Sequence, residues 1–232
     1  MRYDAVIFDL FGTLIPMPRS SDETAILGRI AAMLGVDHER FLSYWREHLP
    51  ARESGKLGSL PDNLEHACRT LGLAPDLARI AEADEIKRQQ VLGYLTMVPD
   101  SVNALMKVRE AGLPIGLISN GPPETARVWP NTAWANLIDH PVFSAAVGML
   151  KPNPAIFAYA CEMLGVAPER CLFVGDGGSS ELTGATKAGM TAVLVRGSVE
   201  HGGFYADQID DAHSWQGPVV SSVAEIPGML EG

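Results

Sequence analysis

AVIFDLFGTL, residues 5–14, is the stretch on which the fold turns. Ala5-Val6-Ile7-Phe8 is an unbroken apolar run that ends at Asp9. A short continuous run with β-branched members, as opposed to an alternating one, marks a strand covered on both faces, as in a parallel sheet. Ile115 to Ile118, Cys171 to Val174 and Thr191 to Val195 repeat the pattern, with helical periodicity between the later runs. One helix is predicted from Ser101, with Leu105 and Val108 inward and a stop at Gly112. Another is predicted with Asn153 as cap and Pro154 in its first turn; it buries Ile156, Phe157, Ala160 and Leu164 and stops at Gly165. The fold class is therefore α/β, a Rossmann-like parallel sheet. In such sheets ligands bind beyond the carboxyl ends of the strands, which is where Asp9 stands. Phe11, two residues further, has no group that transfers a proton.

From Pro16 to Met97 the strand-like runs disappear and helices follow one another. Ser20 and Glu23 have capping-box spacing, and Ile26, Leu27, Ile30, Met33 and Leu34 form an apolar stripe that ends before Gly35. Phe41, Trp45 and Leu49 make a second stripe, Leu64, Cys68 and Leu71 a third, and a fourth helix is expected near Asp76. Pro16, Pro18 and Val98-Pro99 punctuate the ends. The expected division is an α/β core of residues 1–15 and 98–232, with residues 16–97 inserted as a helical cap domain.

The whole chain, 232 residues with 47% hydrophobic and 20% charged, suits one sizeable core with a smaller insert. A formal net charge of −10 argues against unspecific grip on nucleic acid or on an anionic membrane. Cys68, Cys161 and Cys171 lack metal-type spacing and read as buried thiols of a reducing compartment. With no apolar run near the ~20 residues that cross a bilayer, the expectation is a cytoplasmic protein with a small-molecule partner. Oligomeric state, monomer or homodimer, is left open, with Trp129, Trp134 and Phe204 as core or interface residues. The six histidines show no ligand spacing; His201, in a Gly-rich segment, is the one expected near a pocket loop.

Four segments deliver polar residues to the ligand edge: Asp9 and Thr13, Ser119-Asn120-Gly121, Lys151 before Pro152, and Asp176 with Glu181. Taken in this order they resemble the haloacid dehalogenase superfamily of hydrolases over nearly the whole chain. The four motifs are Asp9-Leu-Phe-Gly-Thr13, Ser119-Asn120, Lys151-Pro152 and GDGGSSELTGATKAGM from Gly175 to Met190. The resemblance implies that Asp9 is a nucleophile forming a covalent intermediate, and that Ser119 and Lys151 hold the transferred group. It further implies that the acids of the last motif bind Mg2+. A carboxylate approaching phosphorus needs positive charge on both partners, and hard ligands such as Asp9, Asp176 and Glu181 suit Mg2+. Amides of Leu10, Phe11, Gly12 and Thr13 are expected to cradle the anion, with Asn120 and Gly121 beside it. Glu181 also reads as a first-turn helix acid favoured by the dipole.

Two enzyme readings compete. Phosphatases of the superfamily carry a second aspartate at the place of Phe11, whereas its dehalogenases carry an aromatic there, since halide leaves without a proton. Ser43-Tyr44-Trp45-Arg46 resembles the cap segment in which dehalogenases bind the substrate carboxylate, making Arg46 a specificity candidate; the same residue also reads as a solvated arginine on an amphipathic helix. GDGGSSEL, in contrast, has the length and the Gly-Asp start of the Mg2+-dependent phosphatases. The expectation is a Mg2+-dependent phosphatase of a small phosphorylated metabolite working through an aspartyl-phosphate on Asp9. The alternatives are a metal-free 2-haloacid dehalogenase with an ester intermediate on Asp9, and a non-catalytic binding protein of the same fold.

Overall fold

The computed structural model describes residues 2–196 and 211–230. Among these residues six parallel strands form one sheet in the order β3-β2-β1-β4-β5-β6. They are β1 (Ala5–Phe8), β2 (Ile115–Ser119), β3 (His140–Phe143), β4 (Cys171–Gly175), β5 (Thr191–Val195) and β6 (Val219–Val220). β1 lies inside the sheet between β2 and β4, pairing Phe8 with Leu117 on one side and Val174 on the other. Its four residues are fully buried because they serve two cores at once. Val6 and Phe8 join the apolar cluster on one face, and Ala5 and Ile7 the cluster on the other. Burying Ile7 and Phe8 contributes about 1.5–3 kcal/mol each.

On the first face, α6 (Pro99–Glu110) supplies Ala104, Leu105 and Val108, joined by Val223 and Ile226. On the second, α9 (Pro154–Leu164) supplies Ile156, Phe157 and Cys161, and α10 (Glu181–Lys187) supplies Leu182 and Ala185. α9 starts and ends as its sequence predicts: Asn153 accepts a hydrogen bond from the Ala155 amide and Gly165 closes the helix at φ 69°. β3 and β6 go beyond the expected strands. β3 contains Pro141 and pairs only with β2, the edge placement that tolerates a proline, and β6 is two residues long. Short α7 (Pro123–Val128) and α8 (Ser144–Val147) flank β3.

Between β1 and β2 run α1 (Ser20–Leu34), α2 (His38–Glu47), α3 (Leu49–Glu53), α4 (Leu60–Thr70) and α5 (Leu77–Tyr94). They have an apolar cluster of their own, centred on Leu27, Ile30, Phe41, Trp45 and Leu64. The expected second stripe is divided, since the chain breaks at His48 and Leu49 begins α3. The expected capping box at Ser20 and Glu23 does not form. Arg19 is the N-cap, and Glu23 turns inward instead, where Lys87 of α5 donates to both its oxygens at 2.6 and 2.7 Å. A buried charge pair outweighs an exposed cap contact for that carboxylate. At the far end of α5, Val91 packs with the sheet core together with Leu95. Trp129 and Trp134 resolve as core residues, 4% and 7% exposed, with their rings edge to face. The three cysteines are buried free thiols. Among the described residues no helix is long and apolar enough to cross a membrane. His201 and Phe204 lie outside the described residues.

Candidate active site

β1, β2 and β4 end side by side, so Asp9, Ser119 and Asp176 leave the sheet at one edge. Lys151 reaches the same point from the loop before α9, on a peptide bond to Pro152 that is cis. Its ammonium donates to Asp9 Oδ1 at 2.5 Å, to Glu181 Oε2 at 2.5 Å and to the Ile118 carbonyl at 3.3 Å. Asn120 holds the lysine backbone from both sides, accepting from the Lys151 amide at 2.9 Å and donating to its carbonyl at 3.1 Å. Asn120 thus lines the cavity and also positions the cation.

Glycines make room for the acids. A Cβ on Gly12 would lie 2.1 Å from Asp176 Oδ2, and one on Gly175 would lie 2.0 Å from Glu181 Oε1. Gly12 also has φ 86°, a left-handed conformation that favours glycine. The Gly12 amide donates to the Ile15 carbonyl at 2.7 Å, and that of Thr13 to Leu10 at 3.4 Å. The expected cradle role of Gly12 is corrected accordingly: it is the space Asp176 needs. Ser179 and Ser180 are also left-handed, at φ 54° and 49°, so the loop carrying the acids is strained.

Asp9, Asp176 and Glu181 are buried, and one oxygen of each lies within 4.8 Å of the others. Asp9 Oδ2 is buried and has no hydrogen-bond partner among the described residues; the same holds for Thr13 Oγ1. Three carboxylates against one ammonium leave a formal −2. Burial, with the adjacent charge of Asp9, pushes Asp176 up to about 6. The same two causes hold Glu181 well above the ordinary carboxylate range. At Lys151 burial acts downward, but the charges of Asp9 and Glu181 outweigh it and raise its affinity for the proton. A hard divalent cation fits this donor set: it offsets the −2 and gives Asp9 Oδ2 a partner.

The acids open into a cleft of about 910 Å3, its mouth included, whose opposite wall is helical. Phe11, Ser119, Asn120 and Lys151 line it with Asp9, Asp176 and Glu181. Four expected site residues do not, Gly12 among them. The Gly121 amide is committed to Ser144 Oγ at 3.0 Å, Thr13 is buried behind the wall, and Arg46 is exposed on α2. The reason for Arg46 is helical phase: α2 turns Phe41, Leu42, Tyr44 and Trp45 into the insert's core, which leaves Arg46 outside.

The arginine that reaches the cleft is Arg52 of α3. It pairs with Glu124 of α7 at 3.1 Å, both buried, and its guanidinium stacks 3.7 Å above the Trp45 ring. Glu53 follows it into the cleft. Ser144 donates to the Glu53 carbonyl at 2.7 Å and so fastens α3 to the sheet domain. Asp211 accepts from the Thr183 amide and hydroxyl at 2.8 and 2.6 Å, anchoring the helix that carries Glu181. No spacing signal in the sequence marks Glu53, Ser144 or Asp211, since each acts across a long stretch of chain.

The profile of the haloacid dehalogenase-like hydrolases matches residues 3–189. The chain belongs to this family. Among curated proteins it is 30% identical over 198 residues to a glyceraldehyde 3-phosphate phosphatase of Methanopyrus kandleri, covering 83% of each chain. It is also 30% identical over 195 residues to an (S)-2-haloacid dehalogenase of Xanthobacter autotrophicus, covering 82% of this chain and 74% of that one. Among solved structures, a 2-haloacid dehalogenase from Pseudomonas syringae superposes with a TM-score of 0.72 at 22% identity, covering 99% of this chain and 98% of that one. The fold is thus shared with the family's hydrolases, and both activities occur among relatives of equal identity.

Proposed function

We propose that this haloacid dehalogenase-like hydrolase is a Mg2+-dependent phosphatase of a small phosphorylated metabolite. The observation that carries the reading is the buried −2 of Asp9, Asp176 and Glu181 beside Lys151, with Asp9 Oδ2 left unpartnered. With its three acids ionised such a site repels a haloacid carboxylate, and a cation, which favours their ionised forms, makes it receptive to phosphate. Asp9 is the nucleophile that forms an aspartyl-phosphate, and Ser119 and Lys151 hold the phosphoryl oxygens. Bound Mg2+ supplies charge neutralisation for the transferred group. Buried reduced thiols agree with work in the cytoplasm.

The test is a panel of phosphate esters and acyl phosphates assayed with Mg2+ and with EDTA. Turnover that EDTA abolishes and Asp9→Asn removes is the expected result. No turnover across the panel, or turnover that survives Asp9→Asn, overturns the proposal. Phe11 in the cleft wall favours one other reading, a 2-haloacid dehalogenase, because halide leaves without needing a proton. That reading requires halide release from 2-chloropropanoate that EDTA does not affect.

A further inference from the structure

The phosphatase reading leaves a chemical gap. The alkoxide of an ordinary alcohol is too basic to leave unprotonated at neutral pH, and water attacking an aspartyl-phosphate must lose a proton. The groups clustered at Asp9 are already engaged: Lys151 bridges Asp9 and Glu181, and Asp176 accepts from the Gly178 amide at 2.9 Å. Phe11, on the cleft wall beside them, carries no exchangeable proton.

Six carboxyl residues line the cleft besides Arg52, Lys87 and Lys151. Asp9, Asp176 and Glu181 form the acid cluster, Glu23 is bonded to Lys87, and Glu124 is paired with Arg52. Glu53 is the sixth, and among the described residues no ion pair holds it. It is 7% exposed, belongs to α3 of the insert and lines the same cleft as the three acids. Its backbone is fixed. Ser144 donates to its carbonyl, the neighbouring Arg52 is locked to Glu124, and a Cβ on Gly55 would lie 2.2 Å from the Ala145 carbonyl, so that turn sits directly on the sheet domain.

We propose that Glu53, resting on the phosphatase reading, is the proton donor and acceptor of this site. In the first step a carboxylate oxygen of Asp9 forms a bond to phosphorus as the P–O bond to the alcohol breaks. The Glu53 carboxyl proton goes to the departing oxygen. In the second step the Glu53 carboxylate takes a proton from water as the water oxygen bonds to phosphorus. The P–O bond to Asp9 breaks, and phosphate leaves with Glu53 protonated again. Burial pushes Glu53 up to about 7 against the charges of Arg52 and Lys151, aided by that of Glu124. It is therefore able to hold the proton at neutral pH and to release it.

The experiment compares wild type with Glu53→Gln on an alkyl phosphate found by the panel and on 4-nitrophenyl phosphate, whose leaving group needs no proton. Glu53→Gln is expected to lose about 10²–10⁴ in alkyl phosphate turnover. With 4-nitrophenyl phosphate it is expected to release a rapid burst of one nitrophenolate per active site and then stall, with phosphorylated Asp9 detected by mass spectrometry. The burst also shows that the variant is folded. Glu53→Asp is expected to restore part of the alkyl phosphate turnover. Alkyl turnover within about threefold of wild type in Glu53→Gln, or loss of both alkyl turnover and the burst in folded protein, overturns the role of Glu53. A wild type inactive on every phosphate removes the phosphatase reading itself, which is a different outcome.

Discussion

Glu53→Gln has a consequence for stability that does not depend on any substrate. The Glu53 carboxyl, ordinarily at 4.5, is pushed up to about 7 by burial, with Arg52 and Lys151 pulling it down and Glu124 adding to the rise. Each pH unit between those two values corresponds to about 1.36 kcal/mol, so the folded state prefers the protonated acid by about 3 kcal/mol. For an acid whose folded value is raised, the native state binds the proton more tightly. Stability from this group is then complete below 4.5 and is lost as pH rises through about 7. Glutamine keeps the shape of the protonated acid and has no charge to bury. Its advantage over wild type is expected to be near zero at pH 4.5 and to reach its maximum by pH 8. At roughly 2–4 °C per kcal/mol for a chain of this size, the variant should melt about 6–12 °C higher at pH 8. Thermal melts of both proteins in the same buffers, with EDTA, measure this, and contributions from Asp176 and Glu181 cancel in the difference. A difference constant across pH, or a variant less stable at pH 8, refutes the reasoning.

Other perturbations test the architecture. Lys87→Met leaves Glu23 buried without its cation and is expected to destabilise by about 3–5 kcal/mol in denaturant unfolding. Adding Glu23→Leu should recover most of that loss. Gly12→Ala places a methyl 2.1 Å from Asp176 Oδ2 at φ 86°, and should cost about 1–3 kcal/mol in backbone strain while weakening Mg2+ binding measured by calorimetry. Arg46→Ala should leave kcat/KM unchanged and stability within about 0.5 kcal/mol, because the side chain is exposed outside the cleft. Arg52→Ala should destabilise by about 3–5 kcal/mol, since it strands buried Glu124.

The contrast between the two arginines shows where reading along the chain reaches its limit. Arg46 and Arg52 both fall in the helical insert, and residue type alone does not choose between them. The break at His48 starts a new helix, and that break carries Arg52 and Glu53 into the cleft while α2 keeps Arg46 at the surface. The misplaced capping box has the same origin. A local Ser-Glu spacing favours a cap, but a lysine 64 residues away in the chain offered Glu23 a stronger partner.

Local sequence by itself determined the layered core and most of its acid cluster. Continuous β-branched runs require two covered faces, helix caps and stops are set by neighbouring residues, and polar residues directly after strands must gather at one sheet edge. Asp9, Ser119 and Asp176 were legible for that reason and Glu181 through its place in the last motif, and Gly12 and Gly175 stand beside the acids because those acids exclude a Cβ. Only the tertiary structure decided what faces them. Glu53, Ser144 and Asp211 act through contacts between segments far apart in the chain. Burial and the sum of surrounding charges, which exist only once those segments pack, raise the proton affinity of Glu53, Asp176 and Glu181.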